Sequence, residues 1–140
     1  MKAWRAAVVA VAAVAVAGFT ACSSATATSP AVRTIVLDIR LSHFSTTAIT
    51  ARPGDVVRFV VRNRDPIPHE LIVGDEATQH IHEVGTDALH RGPGAVSVAP
   101  GTTAETTYTF PGSGTLLYGC HLPGHWAYGM RGTIAITASA

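Results

Sequence analysis

The sequence predicts an all-β domain, an antiparallel Greek-key β-sandwich with about seven to eight strands. Short runs of apolar or β-branched residues recur along the chain after residue 32. Turns rich in Pro and Gly separate most of these runs, and few segments show helical periodicity. Short strands at this spacing are typical of two sheets packed face to face.

The first predicted strand alternates Ile35, Leu37, Ile39 and Leu41 with polar residues, which is the pattern of a strand with one buried face. A turn at 51–55 contains Pro and Gly and leads into a strongly β-branched run. The predicted strands that follow the first one occupy residues 56–61, 71–73, 103–110, 115–118 and 132–137.

The connections between these strands carry the expected turn residues. The segment 63–68 holds two prolines, which exclude it from the interior of a central strand. Turns at 99–102 and 111–114 bound the later strands. The polar segment 75–94 is long for a loop and has room for a short helix around 76–84. Loops of this length in compact domains are usually functional or disordered.

The N-terminus has the pattern of an export signal. Lys2 and Arg5 precede an apolar stretch at 6–19, which is shorter than the ~20 residues that a membrane-spanning helix needs. The following Ala-Cys22 pair resembles the lipobox of bacterial lipoproteins, in which the cysteine is lipidated. Phe19 departs from that motif, which usually has Leu at this position.

We therefore expect a lipoprotein signal peptide over 1–21, a lipidated Cys22, a flexible Ser/Thr/Ala linker over 22–32 and one domain over 33–140. The mature protein would then be anchored to the cell membrane and face the periplasm or the cell exterior. Plain secretion, with Cys22 free or removed, is the alternative.

The charge and cysteine content restrict the possible functions. After Cys22 the chain has eight Arg, no Lys and nine Asp plus Glu, hence a net charge of −1 before histidines are counted. No basic surface is predicted, so nucleic acid is not an expected partner. Cys120 has no second cysteine to pair with if Cys22 is lipidated. An unpaired thiol in an oxidising compartment needs protection, and a metal bond supplies it.

The residues with the most specific chemistry lie near the C-terminus. Cys120, His125 and Met130 follow one another at intervals of five residues, on a loop that also contains Pro123 and Gly124. Met130 is the only methionine besides the initiator. Soft sulfur ligands combined with imidazole select copper among the common metals. Two His and one Cys with a distant axial Met form the ligand set of a blue-copper electron-transfer site.

A fourth ligand must come from elsewhere in the chain, and His69 is the best candidate. It stands where the two-proline segment enters a predicted strand. A histidine at the start of a strand is held firmly, and copper electron transfer benefits from a site that changes little between oxidation states.

The spacing Cys-x4-His-x4-Met, with a histidine about fifty residues earlier, resembles the cupredoxin family of plastocyanin and azurin. The similarity extends from about residue 32 to residue 137. It implies a type-1 centre with one copper per domain, bound by His69, Cys120, His125 and axial Met130.

The segments around His69 and Cys120 look most like those of small exported cupredoxins linked to bacterial copper tolerance. One departure concerns Glu70, because plastocyanin and azurin usually have Asn after the first histidine, where it braces the ligand loops. We therefore expect a different brace, or none.

The other histidines and aromatic residues near the site receive weaker assignments. His121 should point away from the metal and lie close to the ligands or at the surface. Trp126 and Tyr128 are expected to shield the copper and line its apolar rim. A second, weaker metal site is a further hypothesis, because in an extended segment His80 and His82 share a side. Its three ligands would be His80, His82 and His90.

Several interpretations of Cys120 and of the function remain open. Cys120 alone is also compatible with a buried thiol, a zinc ligand or a nucleophile, although none of these uses Met130. For a non-enzymatic type-1 protein, the first hypothesis is one-electron transfer through the edge of His125 to a redox partner protein. The alternative is copper sequestration, tolerance or delivery with a copper-exchanging partner. A complete multicopper oxidase is excluded, because the trinuclear cluster of such an enzyme needs eight histidines besides the type-1 ligands. The chain has seven histidines in total.

Overall fold

The computed structural model describes residues 31–85 and 92–138. The predictions for the signal peptide, Cys22 and His90 lie outside these residues. Within them the chain forms nine strands and one helix. In chain order these are β1 (Val32–Arg40), β2 (His43–Phe44), β3 (Ala48–Ala51), β4 (Val56–Asn63), β5 (His69–Gly74), α1 (Glu76–Val84), β6 (Ala95–Val98), β7 (Thr103–Thr109), β8 (Gly114–Gly119) and β9 (Arg131–Ile136).

The strands form two sheets, which confirms the predicted β-sandwich. One sheet has the order β2-β1-β4-β7 and the other has the order β3-β9-β8-β5-β6. Most strand pairs are antiparallel, as predicted, but β1 runs parallel to β4 and β3 runs parallel to β9. The chain leaves the first sheet for β3 in the second sheet before it returns as β4. Such a crossover, unlike a hairpin, permits parallel neighbours.

The predicted strands all appear, with ends shifted by a few residues. The strands β2, β3 and β6 were not predicted, because each has only two to four residues and shows no clear alternation. Leu41 was expected on the buried face of the first strand. It is instead 86% exposed, with a positive φ of 52°, because the chain already turns towards β2 at this residue.

The core lies between the two sheets and reaches the end loop that carries the predicted ligands. One sheet contributes Leu37, Ile39, Val57, Phe59 and Val61, and the other contributes Leu71, Val73, Tyr118, Ile134 and Ile136. Cys120 and Met130 belong to the same buried cluster. Each large apolar side chain buried in this way contributes roughly 1.5–3 kcal/mol. Both ends of the ligand loop are therefore fixed by core packing.

The helix α1 confirms the short helix expected in the long segment after β5. The Asp75 carboxylate caps it by accepting the Thr78 N–H at 2.8 Å. Gln79 is the buried residue of the helix, and its amide group donates to the Leu117 carbonyl at 3.2 Å. This contact attaches α1 to the second sheet beside the ligand loop. In the described part of the chain, no helix has the length and apolar character needed to cross a membrane.

Candidate metal centre

Three of the predicted ligands meet at one end of the sandwich. His69, Cys120 and His125 each direct one donor atom to the same point, and these atoms lie within 4.8 Å of one another. The Cys120 sulfur is 3.2 Å from Nδ1 of His125. The rings of His69 and His125 have centroids 4.9 Å apart. No other group of three His, Cys, Asp or Glu side chains converges in this way within the described ranges.

His69 is the first residue of β5 and is 1% exposed. Its Nε2–H donates to the Asp65 carboxylate at 3.0 Å, while its Nδ1 is buried and has no hydrogen-bond partner. Burial lowers the pKa of His69, and the hydrogen bond to Asp65 opposes this shift only in part. The neutral imidazole is the form that binds metals. A buried nitrogen without a partner is the feature expected of a metal ligand.

Cys120 follows the last residue of β8 and is fully buried. Burial raises the pKa of its thiol to about 11, although backbone N–H groups of Leu122 and Glu70 near the sulfur act in the opposite direction. The thiol is therefore protonated at neutral pH in the metal-free protein. Metal binding must displace this proton, because the thiolate is the ligand.

The loop between β8 and β9 is folded back on itself by its own backbone. The N–H of Cys120 donates to the Met130 carbonyl at 3.1 Å, and the N–H of Met130 donates to the His125 carbonyl at 3.0 Å. Gly124 and Gly129 have φ values of 84° and 90°, a region that favours glycine. These turns bring three residues that are distant along the loop to one place. Met130 is 0% exposed, and its role as axial ligand remains a prediction.

Glu70 supplies a brace between the two ligand-bearing segments. It is 1% exposed, and its Oε1 accepts the backbone N–H of His121 at 2.7 Å. The sequence left open whether a brace exists without the usual Asn. In the structure a carboxylate makes this connection, so β5 and the ligand loop are fixed relative to each other.

The His121 side chain points away from the metal centre, as expected, but it is buried under α1. It is 1% exposed, with Nε2 2.7 Å from Gln79 Oε1 and Nδ1 2.9 Å from Glu83 Oε2. It also stacks on Trp126 at a centroid distance of 4.6 Å. The sequence did not predict that α1 packs on the ligand loop. The polar residue Gln79 on the predicted helix was the sequence signal that could have indicated this contact.

The two aromatic residues of the loop differ in their surroundings. Trp126 packs so closely on Gly119 that a Cβ at that position would clash with the indole ring. Arg131 lies over the same indole at 5.1 Å from its centroid. Tyr128 is 79% exposed, and its expected place at the rim of the copper site remains a prediction.

The extended conformation on which the hypothesis of a second metal site depends is not found at His80 and His82. His80 and His82 lie on the helix α1, where residues two apart diverge by ~200°. The His82 Nδ1–H donates to the Thr78 carbonyl at 2.9 Å. The third candidate, His90, lies outside the described residues, so the second site as a whole remains a hypothesis.

The donor set at the main site fits one copper ion. Two imidazoles and one thiol converge at one end of the sandwich, and the buried His69 Nδ1 has no hydrogen-bond partner. Such nitrogen and soft sulfur donors match type-1 copper.

Similarity to known proteins provides independent evidence for the family of this chain. The profile of the family described as copper binding proteins, plastocyanin/azurin family, matches residues 33–137. The chain is 36% identical over 97 residues to the copper-resistant cuproprotein CopI of Rubrivivax gelatinosus, covering 66% of this chain and 59% of that protein. For CopI of Pseudomonas aeruginosa the identity is 28% over 127 residues, covering 67% of this chain and 70% of the relative.

A solved structure of auracyanin B has the same fold, with a TM-score of 0.64 and 24% identity over 77% of this chain and 90% of that one. The chain spans less than two thirds of the length of the Rubrivivax relative. The family match nevertheless covers both sheets and the ligand loop. The chain therefore belongs to the plastocyanin/azurin family of copper-binding proteins, the cupredoxins.

Proposed function

We propose that this chain binds one copper ion through His69, Cys120, His125 and Met130 and uses it for one-electron transfer. The observation that carries this proposal is the convergence of two histidines and one cysteine, whose donor atoms lie within 4.8 Å of one another. Copper in such a set alternates between Cu(I) and Cu(II), and its potential is tuned by the axial ligand.

The contribution of the protein is a site that is already assembled. The Glu70 carboxylate joins β5 to the ligand loop, and the Cys120 N–H joins the two ends of that loop. The ligands are thus held in nearly the same positions before and after the change of oxidation state. A site that needs little rearrangement transfers electrons with a small barrier.

His125 is the proposed electron port. His69 and Cys120 are buried, whereas His125 is partly exposed. A partner protein that docks on the loop would therefore approach the metal through this imidazole. Tyr128, which is exposed beside Gly124, would lie in the contact area.

Copper tolerance is the second candidate function. It is favoured by the similarity to relatives that are named copper-resistant cuproproteins. Tolerance would require the same site to sequester copper or to exchange it with another protein. In either role we propose an exported protein, anchored by a lipid on Cys22, since the first 21 residues have the pattern of a lipoprotein signal.

An absorption spectrum of the mature domain with one equivalent of Cu(II) tests the proposed site. An intense visible thiolate-to-copper band is expected, and the substitution Cys120→Ser should abolish it. Circular dichroism should show the mutant still folded, since one end loop is affected. A colourless complex, or an unchanged band in the mutant, would refute the type-1 assignment.

The two candidate functions differ in copper exchange. An electron carrier should exchange electrons quickly and retain Cu(I) against a chelator for hours. A protein for copper handling should release or accept copper on the time scale of minutes. Stopped-flow electron exchange and chelator competition on the same preparation distinguish them.

A further inference from the structure

A second buried carboxylate lies behind the predicted ligand His69. Asp65 is 8% exposed, and its Oδ2 accepts the Nε2–H of His69 at 3.0 Å. The same carboxylate accepts two backbone N–H groups, from Leu41 and Ser42, each at 2.7 Å. Asp65 therefore connects the turn between β1 and β2 with the metal centre.

The turn that donates to Asp65 has an unusual backbone. Leu41 and Ser42 have φ values of 52° and 56°, which non-glycine residues rarely adopt. Such residues persist only where the surrounding structure fixes them. Here the two consecutive N–H groups point at one carboxylate, so the charge of Asp65 stabilises the turn and the turn holds the carboxylate in place.

The segment that carries Asp65 is fixed from the other side as well. Its own N–H donates to Asn63 Oδ1 at 2.9 Å. The Asn63 amide donates in turn to the carbonyls of Ile67 at 2.7 Å and Ala99 at 3.1 Å. The carboxylate therefore has little freedom to move relative to the His69 ring.

We propose that Asp65 is a positioning residue for the metal centre. It holds His69 with Nδ1 facing the metal, and it favours Cu(II) over Cu(I). This inference rests on the proposed copper site. A hydrogen bond from Nε2–H to a carboxylate fixes which nitrogen binds the metal and makes the imidazole a stronger donor. A nearby negative charge stabilises Cu(II) relative to Cu(I), so Asp65 lowers the reduction potential.

The most informative variant is Asp65→Asn. It keeps the size of the side chain and an oxygen that can accept the hydrogen bond from His69. It removes the negative charge. The matched control is Asp55→Asn, because Asp55 accepts the Arg52 N–H at 2.9 Å at the opposite end of β4. Both variants change the net charge by the same amount, and only one of them contacts a predicted ligand.

The expected result is that Asp65→Asn shifts the Cu(II)/Cu(I) equilibrium at least tenfold towards Cu(I), which is 59 mV for one electron. Asp55→Asn should shift it much less. Equal potentials for the two variants would overturn the proposal. If Asp65→Asn disturbs the turn, Ser42→Gly is added to both the Asp65→Asn and the Asp55→Asn variants and the comparison is repeated. Glycine adopts a positive φ without strain, so it relieves the turn.

A readout on the metal-free protein separates this inference from the copper site itself. The ¹⁵N shifts of His69 should show the Nε2–H tautomer in the wild type and a mixture of tautomers in Asp65→Ala. A mixture of His69 tautomers in the wild type would overturn the inference even if copper binds. A wild type with this tautomer but no thiolate-to-copper band would instead refute the copper site and leave the Asp65–His69 contact intact.

Discussion

Glu70 accepts the backbone N–H of His121 at 2.7 Å, and this bond joins the strand that begins with one predicted ligand to the loop that carries the others. The two residues are 51 positions apart in the sequence. Glu70 and His121 each directly follow a predicted ligand, His69 and Cys120 respectively. This side chain therefore links the two ligand-bearing segments directly, in addition to the pairing of β5 with β8.

We expect Glu70→Ala to destabilise the metal-free domain by about 1–3 kcal/mol, because it leaves the buried His121 N–H without its acceptor. Glu70→Gln is the matched control, since its amide oxygen can still accept this hydrogen bond. Urea unfolding of both variants measures the difference. A Glu70→Ala domain as stable as Glu70→Gln would show that the brace contributes nothing.

Met130→Leu should retain copper and raise the reduction potential, because loss of a thioether donor disfavours Cu(II). Met130 is 0% exposed, and Leu has a similar volume, so the packing cost should stay below about 1.5 kcal/mol. Voltammetry measures the potential, and a copper assay measures occupancy. Loss of copper from the folded variant would mean that Met130 is an essential ligand rather than a weak axial one.

The helical conformation around His80 and His82 leads to a prediction about stoichiometry. Wild type and the His80→Ala/His82→Ala/His90→Ala triple mutant should each bind one equivalent of copper. Calorimetric titration with Cu(II) measures the number of sites. A second equivalent that disappears in the mutant would contradict this prediction and favour copper handling.

Tyr118 should make the stability of the domain dependent on alkaline pH. Burial raises the pKa of Tyr118 to about 12 from 10.0, and its hydroxyl donates to the Thr46 carbonyl. The neutral phenol is thus favoured in the folded state. The resulting stabilisation of the folded state is complete below pH 10 and is lost as the pH rises through 12, by about 2–3 kcal/mol in total.

Chemical denaturation between pH 9 and pH 12 measures this loss. Burial also raises the pKa of Cys120, so the metal-free Cys120→Ser protein is the reference. It should lose more stability over this range than the Cys120→Ser/Tyr118→Phe protein, which lacks the phenol. Parallel pH curves for the two proteins would contradict a buried neutral tyrosine.

The sequence alone was sufficient where the chemistry is local. Cys120, His125 and Met130 lie within eleven residues, so a short loop with glycine turns is enough to gather them. The helix α1 was predictable for the same reason, since it spans nine residues and its cap at Asp75 is adjacent. The alternating strand β1 and the β-branched strand β4 were also recognised from neighbouring residues.

The tertiary structure decided the features that connect distant parts of the chain. The contact of Asp65 with the turn at Leu41 spans 24 residues, and the contact of Gln79 with His121 spans 42 residues. The parallel pairing of β1 with β4 depends on a crossover through the other sheet. Such contacts are set by which strands pair and in which register. These arrangements minimise the free energy of the whole sandwich, and local residue patterns do not specify them.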